Sequence, residues 1–157
     1  MTKLIKYIFL PVLLLLSVGI SAHAQAQAQQ RPEMYVVIFR ADWCGPCKIV
    51  EPNLDRALKK LNDPALKVVV IDVTDSPRIE RSAHTAFDHQ IAKQYNMWYG
   101  VTGFAAMIDA DTKTTLGCVN MMYDAGSMAA HIRNLKTYAV ANQPSFDLTC
   151  PAPNAPR

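Results

Sequence analysis

The chain has 157 residues, of which 50% are hydrophobic and 18% are charged, and its formal net charge is +3. This length accommodates one domain of ordinary size and no second one. The composition excludes wholesale disorder, and the small net charge gives no indication of binding to nucleic acid or to an anionic membrane surface. The apolar residues are unevenly distributed, because Tyr7 to Ile20 form a nearly unbroken apolar run.

Residues 1–24 have the organisation of a secretory signal peptide. Lys3 and Lys6 precede the apolar run, and Ser21-Ala22-His23-Ala24 follows it with small residues that favour cleavage after Ala24. An uncleaved membrane anchor is the alternative, but fourteen helical residues rise only about 21 Å, short of about 30 Å of hydrocarbon. We predict an exported protein that is not membrane-anchored after cleavage, periplasmic if the source is a Gram-negative bacterium and otherwise secreted. Without this segment, 14 basic side chains stand against 13 acidic ones.

The rest of the chain divides into three segments. Residues 25–32 are polar and of low complexity, which predicts a flexible leader. Residues 33–141 carry the strand and helix patterns of a folded domain. Residues 142–157 are rich in proline and polar residues, which predicts a C-terminal tail.

The first half of the domain has the pattern of a βαβ unit. Met34 to Ala41 is a β-rich apolar run, typical of a strand buried on both faces, and Leu66 to Val73 is a second such run. Between them the periodicity predicts a helix that starts at Cys47 and ends before Asn62, with a kink at Pro52. Because the return loop is short, we expect a right-handed crossover and parallel strands.

The second half predicts two helices on either side of an antiparallel hairpin. Apolar residues every four positions predict one amphipathic helix, whose face consists of Ala83, Phe87, Ile91 and Tyr95. The hairpin strands are Phe104 to Ile108 and Lys113 to Val119. We expect Asp124 to cap the last helix. The apolar face of that helix consists of Met128, Ile132, Leu135 and Ala139.

Cys44-Gly45-Pro46-Cys47 lies where the first strand ends and the first helix begins. At a helix N-terminus, unpaired N–H groups and the helix dipole stabilise a thiolate, so Cys44 should be nucleophilic near neutral pH. Pro46 falls in the first turn, where it removes no needed donor. The arrangement predicts attack by Cys44 on a partner disulfide and resolution of the mixed disulfide by Cys47.

The segment Trp43-Cys44-Gly45-Pro46-Cys47-Lys48, with Ala41 before it and Pro52 after it, resembles the active-site signature of the thioredoxin family. The order of predicted elements is similar from about Met34 to Tyr138. The resemblance implies a thioredoxin-like three-layer α/β sandwich with a mixed central sheet, without the usual first strand and helix because the active-site strand follows so soon after the predicted cleavage site.

The same resemblance implies a thiol–disulfide oxidoreductase without a cofactor, in which Trp43, Gly45 and Pro46 shape the site. Its partners would be proteins with thiols or disulfides, together with a membrane electron donor or acceptor. The Gly-Pro pair resembles reducing thioredoxins, so we favour protein-disulfide reduction. A thioredoxin-like binding module of an envelope complex, with a redox-inert Cys44–Cys47 bond, is the alternative. A metal- or cluster-binding protein that uses both cysteines is a weaker one.

Two sites depart from the family pattern. The family has a buried aspartate in the active-site strand that helps to deprotonate the resolving cysteine, and Ile38 stands at the matching position. Glu51, one turn past Cys47, is the substitute that we consider. The family also has a cis-proline that shapes the substrate groove. The matching position falls among Gly103, Phe104 and Ala105. Because a non-proline cis bond costs about 2.5–4 kcal/mol, we expect a trans bond there.

Cys118 lies on the second hairpin strand and Cys150 in the tail. Export and the even number of cysteines favour a disulfide that pins the tail to the sheet, which would contribute about 3–4 kcal/mol in the chain-entropy model. The alternative is a buried structural Cys118 and an unpaired Cys150. A zinc site formed by all four cysteines is a third interpretation, but only one Cys-x-x-Cys pair exists, and we predict no metal site.

Overall fold

The computed structural model describes residues 31–145 and 149–154. In chain order the elements are β1 (Met34–Arg40), α1 (Cys47–Leu61), β2 (Leu66–Asp72), α2 (Ser76–Asp88), α3 (Ala92–Met97), β3 (Phe104–Asp109), β4 (Thr115–Asn120) and α4 (Ala125–Val140). The predicted signal peptide and most of the predicted leader lie outside these residues and stay predictions. Within the described ranges, no helix has the length and apolar character needed to cross a membrane.

Four strands form one mixed sheet in the order β2-β1-β3-β4. β1 pairs in parallel with β2, as the βαβ pattern predicts, and antiparallel with β3, which pairs antiparallel with β4. β1 is central because successive side chains of a strand point to opposite faces and both of its faces are apolar. Met34 and Val36 enter the core on one face, and Tyr35 and Val37 enter the core on the other.

Helices cover both faces of the sheet, which confirms the predicted three-layer α/β sandwich. On one face, Leu54 of α1 and Ile132 of α4 are fully buried against the strands. On the other face, Ala86 of α2 and Tyr95 of α3 pack against β1 and β2. α1 and α4 therefore pack side by side on one face of the sheet, and α1 begins close to the end of β1.

The prediction of one helix between β2 and the hairpin is wrong, because this segment forms two helices. Gln90 has a φ of 58°, a left-handed conformation that no helix can continue through, and it separates α2 from α3. Ala83 and Phe87 of the predicted apolar face are exposed, Phe87 by 76%. The four-residue periodicity ran across the break and joined the faces of two helices. The buried residues of α2 are Ser82 and Ala86.

β2 is one of the two edge strands of the described sheet, although its apolar pattern predicts burial on both faces. Val69 and Ile71 enter the core, whereas Val68 and Val70 on the other face are each 44% exposed. No strand of the described chain pairs with the outer edge of β2. The first element of the described residues is β1, the strand that leads into the cysteine motif.

The remaining predicted boundaries hold to within two residues. Asp124 caps α4, because its Oδ1 accepts a hydrogen bond from the Ser127 N–H at 2.7 Å. β4 begins two residues later than predicted, since Lys113 has a φ of 59° and belongs to the turn. α1 continues through Pro52 and ends at Asn62, whose left-handed φ of 45° is typical of a helix C-cap.

Candidate active site

Cys44 and Cys47 form a disulfide at the N-terminus of α1, with their Cα atoms 5.4 Å apart. The Cys47 N–H donates a hydrogen bond to Cys44 Sγ at 3.1 Å. This donor belongs to the first turn of a 15-residue helix, whose dipole also favours negative charge at this end. When the bond opens, both effects stabilise a thiolate on Cys44 in preference to Cys47, so Cys44 has the surroundings of a nucleophilic thiol.

The loop that precedes the disulfide is fixed to the segment after β2. The Asp42 N–H donates to Thr74 Oγ1 at 2.9 Å, and Trp43 Nε1 donates to the Thr74 carbonyl at 3.3 Å. The Trp43 side chain is nevertheless 63% exposed, so an oriented apolar surface lies beside the cysteines. A Cβ at Gly45 would meet no atom of a non-neighbouring residue within 4 Å, so the space beside this glycine is open.

Gly103 borders the disulfide from the start of β3. Its N–H donates to the Phe39 carbonyl at 2.9 Å and its φ is 88°, a conformation that glycine adopts without strain. A Cβ on Gly103 would lie 2.7 Å from Pro46 Cβ and 3.5 Å from Cys44 Sγ. The peptide bonds throughout the described ranges are trans, so the chain approaches the cysteines here through a glycine and a trans backbone.

The other two residues predicted for the substrate groove lie in the core. Phe104 stacks on Phe39 with ring centroids 4.8 Å apart, and both rings meet Trp98 edge-on. Ala105 is fully buried on the opposite face of the sheet. Of the three predicted groove residues, Gly103 is the one that borders the active-site turn.

We expect Gly103→Ala to destabilise the oxidised protein by about 1–3 kcal/mol, because the methyl group would collide with Pro46 and the positive φ would be strained. Denaturant unfolding of the oxidised protein measures this loss. Gly100→Ala is the matched control, since Gly100 also has a positive φ, 79°, but open space at its Cβ position. Equal losses for the two variants would contradict the close approach of Gly103 to the active-site turn.

Arg40 donates hydrogen bonds to three carboxylates near the cysteines. Its Nε donates to Glu51 Oε1 at 3.0 Å, its Nη2 donates to Asp42 Oδ1 at 2.9 Å, and its Nη1 donates to Asp72 Oδ2. Arg78 extends the cluster by donating to Asp42 Oδ2 at 2.6 Å. Arg40 and Glu51, together with both cysteines, line a surface cleft of about 240 Å³.

The ion pairs of this cluster favour the charged forms of Arg40, Asp42 and Asp72. Burial lowers the pKa of Arg40, but hydrogen bonds to Asp42, Glu51 and Asp72 outweigh it and raise that pKa above its ordinary value. Hydrogen bonds from Arg40 and Arg78 lower the pKa of Asp42. Burial raises the pKa of Asp72, while hydrogen bonds from Thr74 and Arg40 lower it further than burial raises it. Arg40, Asp42 and Asp72 are therefore charged at neutral pH.

Sequence analysis missed this cluster, although one signal was present. Arg40 is the only charged residue in the apolar strand β1, and the parallel register pairs it with Asp72 of β2. A parallel βαβ unit therefore brings Arg40 and Asp72 side by side. The contact between Arg40 and Glu51 depends on how α1 packs on the sheet, and no pattern in the sequence gives that.

Cys118 and Cys150 form a second disulfide, with their Cα atoms 4.7 Å apart. Thr149 Oγ1 accepts from the Cys118 N–H and donates to the Cys118 carbonyl, so this part of the tail lies along β4. Trp98 Nε1 donates to the Pro151 carbonyl at 3.0 Å. Asn154 Nδ2 donates to the Tyr99 carbonyl at 2.7 Å. Residues 149–154 are thus packed onto the domain next to the Trp98 ring.

The four cysteines belong to two separate disulfides. In the part of the chain that the structure describes, no group of three or more His, Cys, Asp or Glu side chains could hold a metal ion.

Comparisons with known proteins match the segment that carries the cysteine motif. The thioredoxin family model matches residues 20–86. Thioredoxin-T of Drosophila melanogaster is 46% identical over 41 residues, which are 26% of this chain and 24% of that protein. Thioredoxin H2 of Arabidopsis thaliana is 33% identical over 55 residues, 35% of this chain and 40% of that protein. The matched segments thus span well under half of these curated relatives.

Similar solved structures include chloroplastic thioredoxin z, at 24% identity and a TM-score of 0.45, with 68% of this chain and 81% of that chain covered. A thiol:disulfide interchange protein of the thioredoxin family from Chlorobium tepidum is 20% identical with a TM-score of 0.46, over 66% of this chain and 80% of that chain.

The motif-bearing segment is thus matched by the thioredoxin family model and by curated thioredoxins. The described residues place this segment in a mixed sheet of order β2-β1-β3-β4, with Cys44 and Cys47 joined at the start of α1. The segment of residues 20–86, which carries Cys44 and Cys47 at the start of α1, is thus similar to thioredoxins.

Proposed function

We propose that this protein is an exported thiol–disulfide oxidoreductase that reduces disulfides of other proteins through Cys44 and Cys47. The observation that carries the proposal is the hydrogen bond from the Cys47 N–H to Cys44 Sγ at the start of α1. It selects Cys44 as the sulfur that bears negative charge when the disulfide opens. Export is supported by the sequence pattern of residues 1–24.

The reaction uses both sulfurs in turn. The Cys44 thiolate attacks one sulfur of a substrate disulfide, forms a mixed disulfide and releases the first substrate thiolate, which takes up a proton. Cys47 then loses its proton and attacks Cys44 Sγ, which breaks the mixed disulfide and releases the second substrate thiolate. This thiolate takes up one proton, in balance with the proton that Cys47 gave up. The substrate gains two electrons and two protons, and the enzyme is left with the Cys44–Cys47 disulfide.

Substrate access is supported by three features around the disulfide. Trp43 offers an exposed apolar surface, Gly45 leaves open space, and Gly103 brings backbone against Cys44 without a side chain. A protein segment with a disulfide can therefore approach Cys44 from the side of Gly45. For repeated reduction in an oxidising compartment, a membrane electron donor must return two electrons to the Cys44–Cys47 bond.

The test is turnover of a model protein disulfide with a chemical dithiol as the electron source, comparing wild type with Cys44→Ser. We expect wild-type turnover and loss of turnover in the variant, with an unchanged far-UV circular dichroism spectrum. A wild-type protein that is no faster than Cys44→Ser would overturn the proposal and favour a redox-inert binding module. Stoichiometric metal in protein purified without chelator would favour the metal-binding alternative.

A further inference from the structure

Resolution of the mixed disulfide requires a proton acceptor for Cys47. The Cys47 side chain is 3% exposed, and burial favours the neutral thiol over the thiolate. Cys47 must therefore transfer its proton to a nearby group as it attacks Cys44 Sγ. β1 carries no carboxylate side chain, and Ile38 lies on the face of the sheet that packs with α1 and α4.

Two carboxylates line the cleft beside Cys47, those of Asp42 and Glu51. Both oxygens of Asp42 are occupied, Oδ1 by Arg40 and Oδ2 by Arg78. Glu51 accepts a hydrogen bond from Arg40 through Oε1, and no described residue donates a hydrogen bond to its Oε2. Glu51 also lies four residues after Cys47 on α1, so the two side chains are neighbours on one face of the helix.

Arg40 restricts the position of the Glu51 carboxylate through its hydrogen bond. Its side chain is 23% exposed and is held by Asp42 and Asp72 as well as by Glu51. The guanidinium is a rigid planar fork, so fixing two of its nitrogens on Asp42 and Asp72 fixes the third, Nε, that binds Glu51. We infer that Glu51 accepts the proton of the Cys47 thiol during resolution, and that Arg40 is the positioning residue that holds Glu51 in the cleft.

This inference rests on the proposed function and assigns the proton of its second step. As Cys47 Sγ attacks Cys44 Sγ, the S–H bond of Cys47 breaks and its proton moves to Glu51 Oε2. The disulfide between Cys44 and the substrate breaks, and the departing substrate thiolate takes the bonding electron pair. Glu51 then returns the proton to that thiolate or to water. In the direction of substrate oxidation, the same carboxyl group would give the proton to Cys47.

Several charged groups surround Glu51 and Cys47 and enter any pH profile of this site. Arg40 comes from β1, Asp72 from β2, Asp42 from the loop after β1, Lys48 from α1 and Arg78 from α2. Of the carboxylates in this group, Glu51 alone has an oxygen to which no described residue donates a hydrogen bond, and it also lies one turn from Cys47 on α1.

The experiment follows the reaction of the reduced protein with an aromatic disulfide that releases a coloured thiolate. Attack by Cys44 releases the first thiolate, and resolution by Cys47 releases the second. This thiolate needs no protonation, so the second phase reports the deprotonation of Cys47. We expect Glu51→Gln to slow the second phase about 100-fold at pH 6.5, the lower end of general-base effects, and to leave the first phase unchanged. At pH 9.5, where hydroxide competes as the base, the rates should converge.

Asp55→Asn is the matched control, because Asp55 lies one turn further along α1, is exposed and pairs with Lys59 outside the cleft. It should leave both phases unchanged. Arg40→Lys keeps the positive charge but loses the fork, and it should slow the second phase in the same pH-dependent way. If the second phase is as fast in Glu51→Gln as in wild type, or faster, the role of Glu51 as proton acceptor is overturned. If the second phase of Arg40→Lys has the same rate as in wild type, the positioning role of Arg40 is overturned. If wild type releases no second thiolate, the proposed function itself fails.

Discussion

A Cys47→Ser variant is expected to accumulate a mixed disulfide between Cys44 and its substrate protein and to stop turning over. The hydroxyl that replaces the resolving thiol cannot attack Cys44 Sγ, so the first covalent intermediate has no route to the products. The α1 N–H at position 47 belongs to the backbone and still stabilises the Cys44 thiolate in the variant. The first step should therefore keep its rate while the second is lost.

Non-reducing electrophoresis and mass spectrometry of the variant mixed with oxidised substrate measure this accumulation, and excess dithiol should release the substrate. Cys44→Ser is the matched control, because Cys47 lacks the helix-end donor that Cys44 has. It should trap little substrate. Equal trapping by the two variants would mean that the sulfurs are interchangeable, which would contradict the assignment of Cys44 as the nucleophile.

Removal of the tail disulfide should give the largest loss of stability of any change considered. The Cys118–Cys150 bond joins residues 32 positions apart, and the chain-entropy model assigns about 3–4 kcal/mol to a loop of this length. The tail would also release the Pro151 carbonyl from Trp98. We expect the Cys118→Ala/Cys150→Ala double variant to lose about 2–5 kcal/mol of unfolding free energy.

Denaturant unfolding with Cys44 and Cys47 oxidised in both proteins measures this difference. Selective reduction of Cys44–Cys47 is the comparison, since that bond closes a separation of only 3 residues and should change stability much less by chain entropy. A loss below about 1 kcal/mol in the double variant would contradict a structural role of the tail disulfide.

The elements that the sequence predicted correctly are those with a strong local pattern. The apolar run of β1, the helical face of α1 and the Asp124 cap of α4 each depend on neighbouring residues alone. The break between α2 and α3 depends on the backbone conformation of a single residue, Gln90, which the apolar periodicity does not record. The exposure of Val68 depends on β2 being an edge strand of the described sheet, which is a property of the whole sheet.

The candidate site also contains features that follow from local sequence and features that depend on tertiary packing. The cysteine pair follows from a six-residue motif at a strand-to-helix junction, and the structure places both cysteines there. The role of Gly103 depends on β3 passing the active-site turn, a contact across 59 positions of sequence from Cys44. The position of Glu51 was visible from its spacing to Cys47, but its contact with Arg40 required the packing of α1 on β1.

The most direct test of a catalytic role for Cys44 and Cys47 is the equilibrium of their disulfide with glutathione redox buffers, measured on the full chain by thiol alkylation and mass spectrometry. We expect a reversible two-electron couple confined to this pair, with a potential near −270 mV, the value typical of reducing thioredoxins. A potential near −120 mV would contradict the reducing direction. A Cys44–Cys47 bond that does not exchange with any of the buffers would contradict a catalytic role for the pair.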